Sequence, residues 1–212
     1  MSILDAIRGF IKGLGAALGS PPAPDTAEDF LEDLFQRFPF AAQARDWLRQ
    51  NVRLELLDRA STAGGGTWHP DLGLVRLETA QYEAAIHELA HALWQGRRRD
   101  RQVRDALVAA VQRLAEDPDP RWERVRTLAE DYVHGIADQP GFERGMLLPE
   151  PEWGNGGGPR GEWNDWEMFA GLASGCMADI RLLPPYLRRF YEDVFRELPP
   201  GAPAPQEIAP HR

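Results

Sequence analysis

The five residues His87-Glu88-Leu89-Ala90-His91 constrain this chain more than any other stretch. Residues four apart on an α-helix share a face, so both imidazoles can reach one point in space. Ile86, Leu89, Ala90 and Leu93 recur on the opposite face,. The segment therefore reads as a helix that is apolar behind and carries nitrogen donors in front. Two histidines so placed make a pair of metal ligands, and Glu88 beside His87 can take a proton from a metal-bound water.

A catalytic zinc takes three protein ligands and keeps a fourth position open, so a third ligand has to come from another element. Glu167, within Trp163-Asn164-Asp165-Trp166-Glu167-Met168-Phe169-Ala170, is the leading choice. Ala170, Gly171 and Ser174 share its helix face and allow two backbones to approach, which leaves Trp166, Phe169 and Met177 for packing,. Glu130, in Leu128-Ala129-Glu130-Asp131-Tyr132, and His134 are rival third ligands. His69, before Pro70, and His211 are read as unrelated to the metal.

The 212 residues suffice for one domain with a full-sized core,. A net charge of −9 gives no overall positive field, so nucleic acid is not an expected partner,. The local run of Arg97, Arg98, Arg99, Arg101 and Arg104 reads as a solvated helix face,. Cys176 is the single cysteine, which excludes an intrachain disulfide and fits a reducing, cytoplasmic setting,. No apolar run is long enough to span a bilayer,.

Residues 1–20 read as an amphipathic helix, because Asp5, Arg8 and Lys12 interrupt what a secretory signal would keep apolar,. Its apolar face, within residues 1–18, is expected to pack on the domain or a partner, to touch a membrane surface weakly, or to cover the site as a pro-segment. Residues 21–25 form a proline-rich linker, 26–198 the main domain and 199–212 a loose tail,. Within the domain, Thr26 caps a helix bearing Leu31, Leu34, Phe35 and Phe38, followed by a second helix over about 40–50,. Strands are expected over 52–58 and 73–78, with a glycine turn at 64–66 between them,. Helices follow over 79–96, 100–115 and 121–135, then a Pro- and Gly-rich loop over 139–161, then helices over 164–179 and 184–198,.

These residues resemble those of the gluzincin peptidases, marked by His-Glu-x-x-His and a glutamate on a later helix. Within them the chain is most similar to the group that contains anthrax lethal factor, the Pro-Pro endopeptidases and the Mlc-titration-factor peptidases. The group's turn and strand before the active helix are matched by residues 66–78 (GTWHPDLGLVRLE). Its Glu-x-Phe-Ala sequence is matched by Glu167-Met168-Phe169-Ala170, and the resemblance covers roughly residues 52–198.

The resemblance implies an α+β, zincin-like fold, mostly helical, with a small mixed sheet whose edge strand precedes the His-Glu-x-x-His helix. It implies a single zinc ion per chain on His87, His91 and Glu167, and hydrolysis of a peptide or protein substrate with Glu88 as general base. The strand over 73–78 would form the cleft's rim, and its unpaired edge would align the substrate. Relatives carry a tyrosine seven residues before the third ligand, where it helps stabilise the tetrahedral intermediate; here that position is Arg160. A guanidinium can donate to an oxyanion, and Tyr132 or His134 are other sources. The missing tyrosine also motivates an alternative of a different class, a zinc-stabilised pseudo-peptidase acting as a protein-binding or regulatory module. Glu88 argues against it, since a purely structural site has no use for a general base.

Overall fold

The computed structural model describes residues 26–57, 65–130 and 165–198. The expected N-terminal helix, the linker, the segment 139–161 and the tail lie outside them. Helix α1 (Ala27–Arg37) opens at Thr26, whose hydroxyl accepts from the Asp29 N–H at 3.0 Å, with Glu28 and Asp29 in the first turn,. It buries Phe30, Leu31, Leu34 and Phe35. Helix α2 (Ala42–Asn51) buries Ala44 and Leu48.

Three short strands follow: β1 (Arg53–Leu56), β2 (Gly66–His69) and β3 (Leu74–Leu77). Their order is β1-β3-β2, with β1 parallel and β2 antiparallel to β3. The strand that leads into the histidine helix is therefore central, and the expectation of an edge strand there is overturned. The physical reason is β2 itself, a strand beginning at Gly66 where the sequence pattern predicts only a glycine turn at 64–66. Thr67 and Trp68 are strand formers, and Pro70–Leu72 makes one 3₁₀ turn that ends at Gly73 in the left-handed region (φ 56°),. That turn folds β2 back onto β3 as a hairpin. Leu74, Val75 and Leu77 are buried, so both faces of β3 are covered,.

Helix α3 (Tyr82–Gln95) carries the two histidines. Its back, Ile86, Leu89, Ala90 and Leu93, is buried as expected, together with Ala85 and Ala92, while Glu88, His91 and Trp94 are buried too. Helix α4 (Arg101–Glu116) starts at Asp100, which caps the Gln102 N–H,. A 3₁₀ turn at Pro120–Trp122 leads to α5 (Glu123–Glu130). Helices α6 (Asp165–Gly175) and α7 (Pro185–Arg196) complete the described residues.

Among the described elements, α6 packs on α3 more extensively than any other pair does. Trp94 stacks on Phe169 at 4.8 Å, and Phe169 on Tyr191 of α7 at 4.5 Å. The Tyr191 hydroxyl donates to the Phe169 carbonyl at 2.6 Å. These elements form a mostly helical α+β fold with a small mixed sheet. No helix among the described residues is long and apolar enough to cross a membrane.

The arginine run is a solvated face only in part. Arg97 pairs with Glu197, beyond the end of α7, and the Arg98 guanidinium lies over the Trp166 ring at 4.4 Å. Arg99 and Arg101 are exposed.

Gly73 supports a prediction about the hairpin. A Cβ there would sit 3.0 Å from the Asn51 carbonyl oxygen at a backbone angle of +56°. Gly73→Ala should lower unfolding free energy by about 1–2 kcal/mol in denaturant titration, and an unchanged midpoint would show that the turn relaxes freely.

Candidate metal centre

α3 presents His87 and His91 one turn apart, and α6 brings Glu167 across to them. The His87 Nε2 lies 3.1 Å from a Glu167 oxygen and 3.1 Å from the His91 Nε2. The other Glu167 oxygen is 3.4 Å from the His91 Nε2. Zinc bound to imidazole nitrogen and carboxylate oxygen at about 2.0–2.2 Å in tetrahedral geometry separates its ligands by about 3.3–3.6 Å. The observed separations lie at or just inside the edges of such a tetrahedron. Each ring has at most one proton on Nε2, which cannot serve two neighbours at once, whereas a cation between them serves all three.

The electrostatics agree with that donor set. Burial pushes the His91 pKa down to about 4, against the pull of Glu167, so the ring is neutral, as a ligand must be,. Burial acts to raise Glu167, but hydrogen bonds from His87 and His91 outweigh it and hold the carboxyl well below its usual range. Glu167 is thus an anion facing His87 and a neutral His91. His87, Glu88 and His91 together form a group that could hold a metal ion, their ligand atoms lying within 4.8 Å of one another. Glu167 is not one of these three, but its carboxylate oxygens lie 3.1 Å from His87 and 3.4 Å from His91.

Glu88 differs from Glu167 in state. Burial raises its pKa to about 7; His87 opposes this and the Glu167 charge adds to it. The Trp68 backbone N–H donates to its carboxylate, so β2 lies directly against the site. The close approach depends on Gly66: a Cβ there would come within 2.6 Å of the Glu88 Cγ and 2.7 Å of the Leu77 Cδ2. One turn before His87, Glu83 is raised by burial and lowered by His87.

Trp166, assigned from the sequence to packing, lies face to face with the His91 ring, their centroids 4.7 Å apart and planes 16° from parallel. The residue before it, Asp165, accepts from the Trp94 Nε1 at 2.9 Å. Neither contact has a local sequence signal, because each joins residues about 70 positions apart.

His69 ends β2 and is no part of the cluster. The Glu130 side chain, Tyr132, His134, Arg160 and His211 lie outside the described residues. Comparison with protein-family models, with curated proteins and with solved structures found no match.

The raised Glu88 pKa has a measurable consequence. A carboxyl whose pKa is about 7 in the fold and 4.5 unfolded contributes stability that is full below 4.5 and is lost as pH rises towards 7,. In chelator-treated protein, Glu88→Gln should therefore gain in melting temperature over wild type as pH rises across that window. A constant difference from pH 4.5 to pH 8 would mean that Glu88 is not buried as described.

Proposed function

We propose that this chain is a zinc-dependent peptidase of the gluzincin kind, hydrolysing peptide bonds. The observation that carries the reading is the convergence of His87, His91 and Glu167 at tetrahedral-edge distances beside a buried, protonatable Glu88. His87 Nε2, His91 Nε2 and the Glu167 carboxylate would hold the metal. When bound there, zinc supplies Lewis acidity and a water acidified towards neutral pH.

The chain's own groups do the rest. Glu88 would accept a proton from the attacking water and pass it to the departing amine, a role open to a carboxyl held within 4.8 Å of both histidines,. The Trp68 N–H orients that carboxylate from the side of β2.

Substrate alignment passes from β3 to β2 in this reading. The Glu78 N–H donates to the Gly65 carbonyl, so residues 65, 67 and 69 of the hairpin bond inward to β3,. The backbone groups of Gly66 and Trp68 then point away from the sheet, on the edge beside Glu88, and no further strand pairs with it among the described residues. A peptide laid along that edge would meet main-chain donors and acceptors next to the general base. The pseudo-peptidase alternative gains no specific support, because burial and Gly66 both serve the carboxylate that a structural site would not need.

Purified wild type should carry about one zinc by elemental mass spectrometry. Glu167→Ala should lose most of it. Glu88→Gln should keep it while any peptide cleavage falls by about 10²–10⁴-fold, the usual range for a lost general base. A wild type that is metal-free and refuses added zinc would sink the reading; cleavage that survives Glu88→Gln would remove Glu88 from its role.

A further inference from the structure

We propose that Trp166 is a positioning residue for His91, its indole fixing the plane of the imidazole. The proposal rests on the reading of His91 as a metal ligand through Nε2. A ligating histidine is ordinarily oriented by its second nitrogen, which donates to a carboxylate or carbonyl and stops the ring turning. His91 has no such anchor: its Nδ1 is buried and finds no hydrogen-bond partner among the described residues. What the ring does have is a flat neighbour, the Trp166 indole, at 4.7 Å and 16° from parallel. With the side chain 5% exposed, there is no water layer in which the ring could tumble. Rotation out of the observed plane would drive the imidazole into the indole face.

A plate positions a ring only if it is itself held, and Trp166 is held along the chain and from outside. Asp165 on one side is tied to the Trp94 Nε1, and Glu167 on the other meets both histidines. Three consecutive residues at the start of α6 thus engage α3, with Trp166 between two polar contacts. The Arg98 guanidinium, over the same indole at 4.4 Å, adds a cation–π contact from the turn after α3,. A residue present only to fill space would need none of this and could be exchanged for any apolar side chain of similar volume.

That contrast defines the test. Zinc affinity is measured by chelator competition, and the visible absorption of the cobalt-substituted protein reports ligand geometry, for wild type, Trp166→Leu and Trp166→Phe. Thermal melts of the metal-free forms are taken alongside. Trp166→Leu is expected to bind zinc about tenfold or more weakly, within the usual range for loss of an outer-shell partner, with an altered cobalt spectrum. Trp166→Phe, which restores a flat face, should recover most of the affinity and the wild-type spectrum. Should the leucine variant fail to fold, Trp166→Met carries the same expectation, since it fills volume without a plane. A leucine or methionine variant with wild-type affinity and spectrum, whatever its melting temperature, would overturn the proposal and leave Trp166 a packing residue. Wild type that binds neither zinc nor cobalt would instead overturn the metal reading on which the proposal stands.

Discussion

The contact between α3 and α6 is the constraint on which the candidate site depends. Two helices that share ligands must approach closely at one place while staying packed along the rest of their length. α6 meets this with Ala170, Gly171, Ala173 and Ser174, all buried and none bulky, while Trp94 and Phe169 fill the wider gap by stacking. The Asp165–Trp94 hydrogen bond fixes the position of α6 along α3. A slip of one residue along either helix would rotate Glu167 away from both histidines, since successive side chains point in different directions. Hydrophobic packing thus sets a polar geometry that the polar groups alone could not hold.

That geometry is costly in the metal-free chain. An ionised Glu167 faces two imidazoles, one of which burial keeps neutral, and Glu88 sits nearby in a site that resists a second charge. In the metal-free chain the two rings more than offset the burial of the Glu167 anion, so the cost falls on Glu88, which burial and the Glu167 charge keep from ionising,. In the proposed reading the ion removes that cost, so metal binding and folding stability are coupled through the same residues. The two glutamates differ because their neighbours differ. Glu167 accepts hydrogen bonds from both rings, whereas Glu88 has one backbone donor set against strong desolvation.

Much of this was legible in the sequence wherever the signal is local or periodic. The Thr26 cap, the apolar back of α3 and the small residues beside Glu167 all follow from spacing, and the structure brings Glu167 to the histidines from 80 residues away. What escaped the sequence is relational. Whether a strand is central or at an edge is a property of its partners, and β2, four residues between glycines and a proline, has too short a period to announce itself,. The arginines at 97 and 98 look like surface charge until Glu197 and Trp166 arrive beside them from distant sequence. Trp166 looks like core for the same reason. Its environment is built by α3, and nothing within α6 specifies the ring it faces.

β2 joins these points into one structural argument. Because β3 is covered on both sides, the sheet can offer a backbone edge near α3 only through the hairpin that Gly73 closes. Because Gly66 lacks a side chain, that edge comes close enough for the Trp68 N–H to reach Glu88. A strand set further out would leave the carboxylate with water as its partner, more readily ionised and free to rotate. One glycine therefore sets both how near the sheet edge stands to the cluster and how strongly Glu88 holds its proton. In the proposed reading those are the two quantities a hydrolytic site has to match: where the substrate's backbone lies, and where the proton goes.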